Sequence, residues 1–231
     1  MPETVLLLVP RYDFYWAIHR GLRLGHGRML ARIGAADFAD PHATRALTQG
    51  VRAHVALCRD HLEQEDRFIH ADLERRAPGA CARASAGHEH HGHAFDALTD
   101  LVERLETAGD AARPAAGHAL YLRFAEFVAA DFTHMAEEET ALMPVLQAHY
   151  TDAELVEMEG RIIAATPPAI MDRVLSLMLP AISAPERAAM LAGMRGTMPV
   201  DAFDGLLRQT VLPALDQAER ADLLLRLDLA A

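Results

Sequence analysis

The chain is poor in cysteine and in positive charge, and it offers no apolar run that reads as a membrane anchor. Two cysteines, Cys58 and Cys81, cannot build a disulfide framework. A net charge of −11 argues against nucleic acid and anionic membrane surfaces as partners. The apolar start Val5–Val9 is too short, and it follows Glu3 rather than a basic flank, so neither a signal peptide nor an anchor is expected. No P-loop, dinucleotide fingerprint or Ser/His/Asp nucleophile arrangement stands out. With 51% hydrophobic residues, 231 residues suffice for one large or two small cores, and the cytoplasm is the expected compartment.

What the chain has is histidine in helical register. His61/Glu65 and His134/Glu138 are two copies of His-x-x-x-Glu, and residues four apart share a helical face. Two such helices facing each other bring two imidazoles and two carboxylates into one small volume, a donor set suited to first-row transition metals. Two further stretches follow the 3.6 period: Tyr15, His19, Leu22, Met29, Ile33, and His88, His91, Phe95, Leu98, Val102.

From about Tyr12 to Tyr150 the pattern resembles the hemerythrin family, specifically the bacterial hemerythrin-like (HHE cation-binding) domains. The resemblance is carried by IHRGLR around His19, HLEQED from His61, HEHH from His88 and HMAEEETALMP from His134. It implies an all-α, up-down-up-down four-helix bundle holding a non-haem di-iron centre. It also implies His19, His61, Glu65, His91, His134 and Glu138 as ligands. The sequence departs from the family in its third helix, where His88 and His91 are three apart rather than four. In the fourth, hemerythrins proper place the carboxylate five residues after the histidine, which here is Glu139.

Counting turns along such a bundle places His19, His61, His91 and His134 in one layer. Tyr15, Glu65, His88 and Glu138 form the next, roughly 4.5–6 Å away. The count therefore adds His88 to the ligands. It prefers Glu138 to Glu139, which is rotated about 140° from His134, and it makes Tyr15 a hydrogen-bond partner behind the metal ligands. Tyr12, Phe68, Ala84 and Ala141 close the carboxylate end. Two turns the other way, His26 and His54 form a second pair, read first as hydrogen-bonded core imidazoles and otherwise as a relay or secondary metal position about 10 Å along the axis. Cys58 reads as a buried small hydrophobe, and His90 and His93 as solvated. His42 and His70 carry no signal.

Punctuation divides the rest. Asp40-Pro41 opens the second helix, Pro78-Gly79 stops it, and Pro114 sits early in the fourth. Capping boxes start at Thr151, Ser183 and Asp216, with helical stretches expected at Asp172–Leu179 and Asp201–Leu212. Thr166-Pro167-Pro168 marks a boundary between a metal-binding bundle, 1–165, and an accessory helical segment, 166–231. The segment's repeated caps and Met171, Met178, Met190, Met194 and Met198 read as core packing or as an adaptable surface for the bundle, a second copy or a protein partner.

A centre rich in histidine and poor in carboxylate favours reversible over oxidative chemistry, and the resemblance points the same way. The expected function is dioxygen binding, for storage or sensing, at two iron ions. The alternatives are a di-iron enzyme that reduces peroxide or nitric oxide, and a metal-responsive interaction protein.

Overall fold

The computed structural model describes residues 11–229; Val5–Val9 lies outside them. Every regular element among the described residues is helical. Four long helices, α1 (Tyr15–Gly34), α2 (Pro41–Gln64), α4 (Ala82–Thr107) and α5 (Arg113–Glu137), carry all the histidines but His70 and His149, and the short α3 (Ala71–Arg76) lies between α2 and α4. α1 packs on α2 and α5, and α4 packs on the same two, so the four close around a common interior.

The start signals act as the sequence predicts. Asp40 accepts from the backbone N–H groups of His42 and Ala43, with Pro41 following it at the first helical position. Thr151, Ser183 and Asp216 each form a reciprocal capping box, opening α7 (Asp152–Ala165), α9 (Ala184–Thr197) and α12 (Gln217–Arg226). Gly79 takes φ +85° beyond the end of α3, a conformation that costs a residue without Cβ little. Pro167-Pro168 both breaks and starts structure: Pro167 is extended and Pro168 opens α8 (Pro168–Ala181), four residues before the expected Asp172.

Three stretches depart from regular helix. α2 runs into a π turn at Glu65–His70, α5 into one at Glu138–Leu142, and α10 (Val200–Leu206) into one at Leu207–Val211. The last two lead into the prolines of α6 (Met143–His149) and α11 (Leu212–Ala214). Pro144 has no N–H to continue the α ladder and its ring would crowd the carbonyl of Thr140, so widening the preceding turn relieves the clash. Pro213 imposes the same constraint, and it replaces the single helix expected over Asp201–Leu212.

Apolar packing lies on both sides of the histidines. On one, Ile33, Val51, Phe95, Leu98, Phe124 and Phe127 form the main core. On the other, Phe14, Ile69, Leu73, Leu142, Leu146 and Leu155 form a cap. The C-terminal helices have a core of their own around Leu179, Leu191, Phe203 and Val211, and Met171, Met190, Met194 and Met198 pack against it. Their attachment is through α8, which lies along α1 so closely that a Cβ on Gly21 would fall 2.9 Å from the Met178 backbone. Ile170, Val174 and Leu177 of α8 cover Leu22, Leu57 and Met135 there. No helix among the described residues is long and apolar enough to cross a membrane.

Candidate metal centre

Glu65 and Glu138 each stand at the first position of a π turn, and both are almost fully buried, at 2% and 1% exposed. Buried carboxylates without a partner are costly, so their surroundings matter. His61 Nε2 lies 3.2 Å and His19 Nε2 3.7 Å from Glu65 Oε1, while His88 Nε2 lies 3.5 Å from Glu65 Oε2. Glu138 mirrors this: His134 Nε2 at 3.2 Å and His88 Nε2 at 3.5 Å from Oε1, with His19 Nε2 at 3.5 Å from Oε2. Each carboxylate thus turns one oxygen toward His19 and the other toward His88, with His61 joining the first side and His134 the second.

None of these contacts is a hydrogen bond. The Nε2 atoms of His19, His61, His88 and His134 and all four oxygens of Glu65 and Glu138 are buried without a partner. An unmet buried polar atom costs about 1–3 kcal/mol, more when charged. Ligands about 2.1 Å from one ion stand about 3.0–3.4 Å from each other at right to tetrahedral angles; the two His-x-x-x-Glu pairs, at 3.2 Å, fall in that range and the cross contacts, at 3.5–3.7 Å, lie just beyond it. Two overlapping groups at the carboxylates fit a cation, His19, His61 and Glu65, and Glu65, His88, His134 and Glu138; a third, Asp66, His70 and His88, adjoins them, and a fourth is His26, His54 and Cys58. The residues present fit metal, and the orphaned atoms are what metal would satisfy.

The far side of each ring is held. His19 Nδ1 is 3.0 Å from Glu139 Oε1, which Arg23 also engages at 2.6 Å. His88 Nδ1 is 2.8 Å from Asp66 Oδ1. A carboxylate behind a ring fixes its tautomer and aims the other nitrogen inward. Tight packing adds to this: a Cβ on Gly87 of α4 would fall 2.7 Å from His134 Nδ1.

Charge within the cluster is strongly perturbed. Burial works against protonating His19, but the hydrogen bond to Glu139 and the nearby carboxylates of Glu65 and Glu138 reverse it and raise its pKa to about 9. His88 follows, with burial outweighed by Glu138, Glu65 and Asp66, also at about 9. Glu138, despite burial, is pulled well below the carboxylate range by His134 and His88. Burial and then the charges of Glu138 and Glu65 keep the Tyr15 phenol protonated; its hydroxyl is buried without a partner and its ring stacks on His19 at 4.8 Å.

Of the residues singled out in sequence, His19, His61, Glu65, His88, His134 and Glu138 are brought together. His91 lies beside them, its ring 5.0 Å from that of His134, with Nδ1 2.7 Å from the Gly87 carbonyl and Nε2, which has no hydrogen-bond partner, 3.2 Å from Asp131 Oδ1. Asp131 escaped the sequence reading. It is buried and also binds His26 Nε2 at 2.7 Å, and His26 Nδ1 lies 2.9 Å from His54 Nε2, so the second pair is a hydrogen-bonded pair of core imidazoles anchored by a carboxylate. Its signal was available: Asp131 lies three residues before His134, and on the same face. Cys58 is buried beside this pair. Asp66 and His70 also escaped.

Two clefts approach the centre. One, about 300 Å³, reaches His88 past Glu63, Asp66, Ser85 and Glu89; the other, about 280 Å³, reaches His134 and Glu138 past Ala80, Ala84, Ala141 and Val145. Compared with known proteins, the chain matches no protein-family model and no curated protein.

Proposed function

We propose that this chain is a hemerythrin-like non-haem di-iron protein, its four long helices forming an up-down-up-down bundle, that binds dioxygen for storage or sensing. The observation that carries the reading is the set of partnerless buried atoms: four imidazole nitrogens and two carboxylates, each carboxylate shared between two histidine groups. His19 and His61 would hold one ion and His88 and His134 the other, with Glu65 and Glu138 spanning both. A pair of iron(II) ions would supply a redox centre able to take up and release dioxygen.

The chain's own residues set the conditions for that chemistry. Two carboxylates against at least four imidazoles keep the donor set nitrogen-rich, which favours the reduced state. The apolar clusters on either side exclude water and limit oxidative side reactions. The alanine-lined cleft past Ala80, Ala84 and Ala141 gives a small apolar molecule a path to His134 and Glu138. Tyr15, held protonated, presents an O–H at the site that can donate to a bound ligand.

Tyr15 also favours the second reading, an enzyme that reduces peroxide or nitric oxide, because a phenol beside the centre is a proton source. Anaerobic iron loading, metal analysis and optical spectra with and without oxygen decide between them. Two ions per chain and a charge-transfer band that vanishes under argon and returns over several cycles are expected. Irreversible oxidation with peroxide consumed over many turnovers supports the enzyme. Saturation at one ion per chain refutes the dinuclear reading.

A further inference from the structure

We infer that His70 is a further metal ligand of this centre, on the side of His88; the inference rests on the metal reading above. His70 is only 4% exposed, and its Nε2 is buried without a hydrogen-bond partner, the same condition as the four proposed ligand imidazoles.

The π turn puts it there. In a regular α-helix His70, five residues beyond Glu65, would point about 140° away from it. The turn over Glu65–His70 instead closes with the Ala71 N–H on the Asp66 carbonyl, an i to i+5 bond, which sets residues five apart nearly above one another. His70 therefore shares the inward face with Glu65.

Asp66 aims the ring. Its Oδ1 lies 2.9 Å from His70 Nδ1 and 2.8 Å from His88 Nδ1, and the two rings stack at 4.7 Å with only 18° between their planes. Ser85 Oγ also approaches His70 Nδ1, at 3.4 Å. In an imidazole the two nitrogens face opposite ways, so near-parallel rings that both turn Nδ1 to one outer oxygen both turn Nε2 inward. For His88 that inward nitrogen is the one facing Glu65 and Glu138. One half-exposed carboxylate thus fixes the tautomers of two rings and presents two lone pairs to the centre. His91 Nε2 is buried without a hydrogen-bond partner as well, but it lies 3.2 Å from Asp131 Oδ1 and its Nδ1 is bound to the Gly87 carbonyl rather than to Asp66, so His91→Gln is the control that separates the two rings.

The consequence is an asymmetric pair. The ion on the His88 side gains His70 as well as His134 and the two carboxylates, whereas the ion on the His19 side keeps two imidazoles and the carboxylates. The His19 side, where the Tyr15 ring stacks on His19, would then be held by fewer of the chain's groups.

The test uses the full-length protein loaded with cobalt(II) for NMR and with iron(II) for release kinetics. Wild-type protein should show five strongly shifted exchangeable imidazole N–H signals, and His70→Gln should lose one. His70→Gln should release one ion per chain to ferrozine at least about tenfold faster than wild type, while His91→Gln stays within about twofold. Asp66→Asn should accelerate release as well, through both rings. Four signals in wild type, or a His70→Gln protein with wild-type release and signal count, overturns the inference even if two ions are bound. Should His70→Gln fail to fold, His91→Gln decides: a fifth signal that it keeps belongs to His70, and a fifth signal that it loses overturns the inference. Wild-type protein that takes up neither metal defeats the metal reading itself, and is recognised before any variant is compared.

Discussion

At the scale of single residues, position on the helix face separates glutamates that look alike in sequence. Glu63 is exposed, Glu139 braces His19 from behind together with Arg23, and Glu65 and Glu138 face inward with no partner. Alanine at these four positions should therefore give three grades of metal loss. Glu65→Ala and Glu138→Ala should abolish binding of at least one ion. Glu139→Ala should weaken affinity about 10-fold to 100-fold, as loss of an orienting partner does, and Glu63→Ala should change nothing measurable. Metal titration followed by equilibrium dialysis checks the order; equal losses at Glu138 and Glu139 would contradict the placement described above.

At the scale of elements, the contact between α1 and α8 is the most extensive that joins the histidine-bearing helices to the C-terminal helices. It depends on the absence of a side chain at Gly21, where the Met178 backbone leaves no room. Gly21→Leu should force the helices apart and destabilise the protein by about 1–3 kcal/mol, the usual cost of overpacking. Because no proposed ligand lies on α8, metal stoichiometry should persist; denaturant unfolding and metal analysis on the same sample test both halves. Two further links lie nearby. Trp16 and Arg20 of α1 both bind Glu186 of α9, at 2.9 and 2.7 Å, and buried Arg187 donates to the Leu179 carbonyl and to Glu219, tying α8, α9 and α12 together.

At the scale of the whole molecule, the metal-free protein should be most stable near neutrality and decline on both sides. His19 and His88 titrate near 9 when folded, above the ordinary 6.5, so they contribute fully below 6.5 and lose that contribution as pH rises through 9. His54 is pushed down to about 3 by burial and by His26, so its contribution is full above 6.5 and lost as pH falls toward 3. At about 1.4 kcal/mol per unit of pKa, each limb is on the order of 5 kcal/mol. Metal displaces the protons of His19 and His88, so loading should remove the alkaline limb and leave the acid one; melting temperature across pH, with and without iron, measures this. Ending the chain after Ala165 tests the proposed division into bundle and accessory segment. It uncovers Leu22, Leu57 and Met135, so the shortened protein should keep its metal and optical spectrum but unfold more readily and self-associate. Loss of metal from a still helical product would show that the C-terminal helices shape the centre.

The sequence by itself determined the all-helical class, the caps and the register that gathers six ligand candidates. These follow from rules acting over three to five residues: side-chain periodicity, reciprocal capping and the i, i+4 spacing of His61/Glu65 and His134/Glu138. Only the tertiary structure decided which rings turn inward. Glu65–His70 and Glu138–Leu142 are π turns rather than α-helix, so an arithmetic of 100° per residue fails beyond each glutamate, and His70 falls on a face from which a regular helix would exclude it. His91 was assigned by resemblance and by layer, yet its Nδ1 is held by the Gly87 carbonyl and its Nε2 lies nearest Asp131, which stands on another helix 40 positions away. The intimacy of α1 and α8 was equally hidden, since Gly21 becomes a constraint only when a partner backbone is packed against it.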